Sequence, residues 1–357
     1  MPEPFLLSRL LLHFEHKSED LLSDISAAAF TPDGNLWVGS DELIGVERLS
    51  PIGPHTYGKH QQFALSNFID LFNTEDEIDI EGMDYSHPYL WLTGSHSMKR
   101  DKPDGDDEEE DIEALTKVTT DLNRFILARI PVINGELVQS CSLSDEPKGK
   151  LRAACLQKSG ERNLLIDAIA EDVHLQPFIS GAIPSKDNGL DIEGLAIYDE
   201  RVFLGLRGPV LRGWAILLEI EVVETEPGVL GLKAIGEDGE LYRKHFVDLN
   251  GLGVRELCWR GEDLIILAGP TLDLEGSMRV FCLQNILDSS GNTLHGQDSD
   301  DLTVLFDLPF TFGTDHAEGL ALYSCFEQEG LMVVYDSPDE KRLPAAKQIF
   351  ADVFRLP

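Results

Sequence analysis

Three observations on the sequence predict an all-β fold, a β-propeller of five blades with four antiparallel strands each. The first is a recurring phrase: Asp79-Ile80-Glu81-Gly82-Met83, Asp191-Ile192-Glu193-Gly194-Leu195 and His316-Ala317-Glu318-Gly319-Leu320. The second is the apolar run that follows each copy, at 89–92, 202–206 and 331–335. The third is a pair of segments that keep the frame without the Glu-Gly pair. Asp24-Ile25-Ser26-Ala27 leads into Leu36-Trp37-Val38-Gly39, and Gly253-Val254-Arg255-Glu256-Leu257 leads into Leu264-Ile265-Ile266-Leu267. Self-similarity of this kind marks a repeat architecture. A β-sandwich with added helices would explain the strands but not the phrase.

Aligned on the Glu position, the copies give Ser26, Glu81, Glu193, Arg255 and Glu318, at intervals of 55, 112, 62 and 63 residues. A blade of four short strands needs roughly 40 to 50 residues, so three intervals hold one blade each. The long interval carries two insertions. One, at about 101–113, is acidic: eight of the eleven residues 101–111 are Asp or Glu, a run expected to stay solvated and disordered. The other, at about 160–179, has helical spacing in Leu164-Leu165-Ile166-Asp167-Ala168-Ile169. Later strands are expected at 125–132, 215–223, 279–283 and 302–308. The run 5–14 has no unit of its own. Pairing it into the last blade, beside 349–354, would close the ring and leave no open edge. The whole chain, 1–357, then reads as a single domain.

Composition narrows the function. A formal charge of −35, from 64 acidic and 29 basic residues, repels phosphate backbones and anionic lipid surfaces, which argues against nucleic-acid partners. No apolar run approaches the roughly 20 residues needed to span a bilayer. The first ten residues lack the basic, apolar and small-residue order of a secretory leader. Five cysteines without a CxxC pair read as reduced thiols. The expected location is cytoplasmic.

The first strand of each propeller blade lines the central channel, and residues two apart on a strand share a face. The phrase therefore builds two tiers at one mouth: Ser26, Glu81, Glu193, Arg255 and Glu318, and Asp24, Asp79, Asp191, Gly253 and His316. So many carboxylates cannot all ionise without compensation. A divalent cation, Ca2+ or Mg2+, held by Glu81, Glu193, Glu318, Asp79 and Asp191 is one expectation. The other is a structural network in which Arg255 neutralises two of the acids. Segments leaving the second strands rim the same mouth, and their Ser95, His96, Lys99, Arg100, Arg207, Arg212, Lys341 and Arg342, together with Arg255 of the ring, suit an anionic group. Glu193 and His316 are the candidate acid–base residues. No nucleophile elbow, zincin helix or P-loop is present.

At Asp191-Ile192-Glu193-Gly194-Leu195-Ala196, Leu206-Arg207-Gly208-Pro209, and Gly251-Leu252-Gly253-Val254-Arg255 with Leu267-Ala268-Gly269-Pro270-Thr271, the chain resembles a bacterial family known only as a domain of unknown function. That resemblance runs from Ser23 to Arg355. The Glu-Gly-Leu-Ala pattern is more distantly similar to phytase-like, esterase-like and gluconolactonase-type propellers, several of which hold a divalent cation on the axis. The chain departs from them by placing Arg255 in the ring and by lacking axial Asn. The resulting expectation is a mouth that binds a small anionic, phosphorylated or similar molecule, with hydrolysis of an ester, lactone or phosphoester as its enzymatic form. The alternative is a non-catalytic propeller that meets a protein partner.

Overall fold

The first strand of the chain completes its last sheet run. The structure, a computed structural model, describes residues 4–15, 19–103, 105, 107–142, 150–236 and 239–357. In it β1 (Leu6–His13) pairs antiparallel with Gln348–Arg355, Arg9 opposite Asp352 and Leu11 opposite Phe350. Leu10, Leu12 and Phe14 are wholly buried there, packed with Val38, Met332 and Val353. An ion pair, Arg9 Nε to Asp352 Oδ1 at 3.0 Å, spans the two strands.

Five strands begin the runs: β2 (Ile25–Phe30), β3 (Ile80–Ser86), β4 (Asp191–Tyr198), β5 (Gly253–Arg260) and β6 (His316–Cys325). Each lies at the end of its sheet. From each, antiparallel strands stack outward. β2 leads to Leu36–Ser40, Gly45–Gly53 and Thr56–Ala64. β3 leads to Tyr89–Gly94, Leu127–Ile133 and Ala154–Leu156. β4 leads to Arg201–Gly208 and Trp214–Glu226, whose two halves carry Arg243–Asp248 and Val229–Lys233. β5 leads to Asp263–Gly269, Arg279–Leu283 and Leu302–Asp307. β6 leads to β7 (Gln328–Asp336), β8 (Gln348–Arg355) and then β1. Outer strands of neighbouring runs meet in parallel, Leu11 beside Thr56 and Cys155 beside Val229, which joins runs into eight- and eleven-stranded sheets. Inward, each first strand packs on the next, β2 on β3 through to β6, and β6 returns to β2. The fold is all-β and propeller-like.

The repeated phrase is a repeated β-bulge. Pairing with the second strand slips between Ile25 and Ala27, Ile80 and Gly82, Ile192 and Gly194, Val254 and Glu256, and Ala317 and Leu320. The residue left over is the aligned one, Ser26, Glu81, Glu193 or Arg255, and in β6 it is Glu318 together with Gly319. A bulge re-aims a side chain that strict alternation would place elsewhere. The glycine after it answers a second demand, close approach between inner strands. A Cβ on Gly82 would lie 2.7 Å from Leu195 Cβ, and one on Gly194 would lie 2.8 Å from Leu257 Cγ.

The helical insertion is present as α2 (Leu164–Ile169) and α3 (Gln176–Ser180), with Leu165, Ile166 and Ile169 buried in the core. The acidic run differs from its expected disorder. Asp104 and Asp106 lie outside the described residues, but the segment carries α1 (Glu108–Ala114). Asp107 caps it, accepting from the backbone N–H groups of Glu109 and Glu110. Glu108, Glu109, Glu110 and Asp111 fill its first turn, the end where a helix dipole favours negative charge. That effect offsets the self-repulsion read from composition.

Deleting residues 1–15 removes β1 and uncovers an open strand edge beside β8. The truncated chain is expected to aggregate, or to melt cooperatively at a much lower temperature by circular dichroism. A soluble truncation with an unchanged midpoint would contradict this closure.

Candidate functional site

Two guanidinium groups hold the ring together. Arg255, the bulged residue of β5, has Nε 2.8 Å from Glu193 Oε2 and donates through Nη2 to Glu318 Oε1. Its Nε–H is not aimed at the nearby oxygen and finds no hydrogen-bond partner among the described residues, so that contact is one of charges. Arg207, at the end of Arg201–Gly208, brings Nη1 within 3.0 Å of Glu193 Oε1 and 3.5 Å of Asp191 Oδ2. A third, Arg124, rises from the turn Leu122–Phe125 to Asp79 Oδ2 at 2.8 Å and Glu77 Oε1 at 2.5 Å. Ser26 donates its hydroxyl to the carbonyl of Ile80. The structural network read from Arg255 is therefore what the geometry shows.

Deeper on the axis, acids serve the backbone. Inner strands have one edge without a ladder, and buried N–H groups need acceptors. Glu256 Oε1 accepts from Leu195 N at 3.0 Å and Leu257 N at 2.8 Å. Asp84 Oδ2 accepts from Ile197 N at 2.7 Å. Burial pushes Glu256 well above the usual carboxylate range and Asp84 to about 6.

The mouth retains more acid than base. Glu81 makes no hydrogen bond or ion pair among the described residues. Burial, then the carboxylates of Glu193, Asp79, Glu318 and Asp41, raise its pKa well above the ordinary value. Asp41 is pushed to about 9 by burial and by Glu318, Asp79, Asp336 and Asp24, and its buried Oδ1 has no partner among the described residues. Glu318 rises to about 8, because burial and Asp336 outweigh Arg255. Asp191 also rises to about 8, by burial and Glu193 against the pull of Arg207. Burial likewise lifts Asp79 against Arg124. Asp41, Asp191 and Glu318 are thereby shifted toward the protonated form at neutral pH.

The expected metal ligands do crowd together, but not as a cage. Among the described residues no group of three or more His, Cys, Asp or Glu is placed to hold a metal ion. Asp79, Asp191, Glu193 and Glu318 each face an arginine instead, so the carboxylates around Glu81 are not free to share an ion with it. The five residues do not fit Ca2+ or Mg2+ in this arrangement.

Most of the expected anion-binding residues are occupied. Lys99 Nζ lies 2.5 Å from Asp121 and 3.2 Å from Glu77. Arg100 pairs with Asp187 at 2.7 Å. Arg342 is buried between Asp315 and Asp352, its guanidinium 3.6 Å above the Tyr335 ring. Ser95 bonds Ser97, 2.9 Å between hydroxyls. His96 is buried, donating from Nδ1 to Gly94 O and accepting at Nε2 from Asn163, and burial lowers its pKa to about 4. Lys341 and Arg212 are exposed, Arg212 on a turn with φ 53°. Of the acid–base candidates, Glu193 is committed to two arginines. His316 has Nδ1 3.5 Å from Asp336 and Nε2 3.3 Å from Glu275, and Asp336 raises its pKa. Residues outside the ring pattern complete the site: Asp41, Arg124, Glu256, Glu275 and Asp336. Asp41 follows a second strand and Asp336 ends one, which is the one sequence signal that marks them. Arg124 carried none, since its partner Glu77 is 47 residues away.

The raised carboxyls set the sign of a pH dependence. Unfolded carboxyls titrate near 4, so between about pH 4 and 9 the folded chain holds more protons and loses stability as pH rises. The thermal midpoint is expected to fall between pH 6 and 9, and Asp41→Asn to flatten that fall. An equally steep fall in the variant would contradict the placement of Asp41. Arg255→Met is expected to cost about 3–5 kcal/mol, as for a buried pair broken on one side, in chemical denaturation. Adding Glu318→Gln should recover part of that loss.

Residues 24–352 match the model of a family described as Protein of unknown function (DUF3616). No curated protein sequence matches the chain. Among solved structures, the Myxococcus xanthus glutaminyl cyclase is 10% identical, with 98% of this chain and 99% of that one covered and a TM-score of 0.39. A putative oxidoreductase (glucose dehydrogenase) of Thermus thermophilus is 13% identical, with 97% and 100% covered and a TM-score of 0.40. The periplasmic gluconolactonase of Pseudomonas aeruginosa is 13% identical, with 93% and 70% covered and a TM-score of 0.33. At such scores none of them bears on the activity of this chain.

Proposed function

This chain belongs to the DUF3616 family, whose description assigns no function, and we propose that it is a five-bladed propeller whose channel mouth binds a small molecule through a positively charged group. The cycle of inner strands from β2 to β6 and back supports the blade count. The binding reading rests on one observation: Glu81, at the bulge of β3, makes no ion pair or hydrogen bond among the described residues, is reached by Arg255 and Arg207 only through longer-range attraction, and stands among four other carboxylates. A ligand cation there replaces protons that the mouth otherwise retains. The anionic ligand expected from the rim gains less support, because Arg207, Arg255, Arg342, Lys99 and Arg100 already face acids. In a hydrolytic version His316, held by Asp336 and Glu275, is the group able to give a proton. Among the described residues no helix is long and apolar enough to cross a membrane. The free cysteines support a cytoplasmic setting.

Calorimetric titration with methylammonium at pH 7.5, in two buffers of different ionisation enthalpy and at matched ionic strength, tests this. Saturable binding with proton release is expected, and Glu81→Gln should abolish it. Absence of binding, or equal binding by the variant, contradicts the reading. Saturable binding of Ca2+ alone would replace the organic cation with a metal ion.

A further inference from the structure

We infer that the ligand is an amphiphilic amine, its apolar part seated in a groove between β2 and the end of β7 and its ammonium group turned to the acidic mouth. This rests on the cation reading above and adds the ligand's other half. The groove, about 600 Å³, is walled by Leu22, Pro338, Leu343, Ala345 and Ala346, a volume within the usual range for small-molecule sites. Its polar end adjoins the ring. Ser23 and Ser337 line the groove and donate their hydroxyls to Asp24 at 2.8 Å and Asp336 at 3.0 Å. Asp24 and Asp336 are themselves bridged through their backbones. Thr314, also in the wall, has a buried hydroxyl without a partner among the described residues, which a ligand donor or acceptor can satisfy.

The loop that brings Gly313 and Thr314 to the groove, and a loop joined to it, are apolar where surface loops are ordinarily polar. Phe310 and Phe312 are 50% and 79% exposed, and Leu272 and Leu274 are 40% and 66% exposed. They lie on two loops joined by Leu308 N to Met278 O at 2.9 Å and by the Glu275–His316 contact at 3.3 Å. Large apolar residues gathered on joined loops, rather than scattered singly, mark an interaction surface. At the groove's polar end the carboxylate of Asp336, bonded to Ser337, and that of Asp41, which feels Asp336, select for positive charge by Coulomb attraction and against carboxylate or phosphate ligands. An alkyl or aryl body carrying one ammonium group meets both conditions. A fully polar diamine meets only the second, and a fatty acid only the first.

The probes are a series of n-alkylamines from methylamine to octylamine, with octanoate as the control, titrated calorimetrically into the full chain at pH 7.5. Affinity is expected to rise along the series by up to about fourfold per buried methylene, the equivalent of about 0.8 kcal/mol, with octanoate not binding. Ala346 is exposed, so Ala346→Trp fills the groove without disturbing the core. That variant should bind methylamine as the parent does and gain nothing from longer chains. A flat series in the parent, a gain that persists in Ala346→Trp, or octanoate binding as tightly as octylamine overturns the inference. Methylamine binding with a flat series leaves the cation reading standing. Failure of methylamine together with octylamine removes both.

Discussion

Inner strands that converge on one axis have no ladder partner on their inner edge, and this geometry governs the rest of the molecule. Each first strand is the end of its sheet, so its inward N–H groups and its inward side chains must find partners across the channel. The chain answers with the same device five times, a bulge that turns one side chain to the mouth. Where a glycine follows, neighbouring strands approach closely. Where Glu256 follows instead, its carboxylate takes the N–H of Leu195 on the next strand. The crowding of charge at the mouth is a consequence of that repetition.

Charge then has to be balanced, and the balance is incomplete. Three arginines from three different local contexts, Arg124, Arg207 and Arg255, neutralise part of the ring. Among the described residues Asp41 and Glu81 make no ion pair, although Arg207 and Arg255 attract Glu81 at longer range. Removing two partially buried acids by mutation would have been the simplest stabilising route, since proteins commonly retain destabilising groups where a site needs them. That remaining acid, beside an apolar groove, is what the proposed charged ligand with an apolar body would answer.

Much of this was legible in the sequence, for reasons that are local. The phrase around Glu81, Glu193 and Glu318 marked the inner strands, and the partnerless run 5–14 marked the closure by β1, because both are patterns of adjacent residues. Arg255 stood out as a break in an aligned column. What was not legible depended on contacts between distant segments. Arg124 is a lone arginine in sequence and becomes a ring residue only when Glu77 and Asp79 fold beside it. The rim lysines and arginines look free in sequence because their acids are far along the chain, as with Arg100 and Asp187. The acidic run reads as wholly disordered because composition does not register that Asp107 can cap a helix and that a first turn welcomes acids.

The central claim is that the mouth stores protons in the absence of a ligand. Potentiometric titration of the folded chain against the chain unfolded in denaturant, from pH 5 to pH 10, measures that store directly. The account predicts that the folded protein carries several more protons than the unfolded protein between about pH 6 and 8, and that this excess shrinks in Asp41→Asn and Glu81→Gln. Coincident curves across that interval, with the variants indistinguishable from the parent, would contradict it.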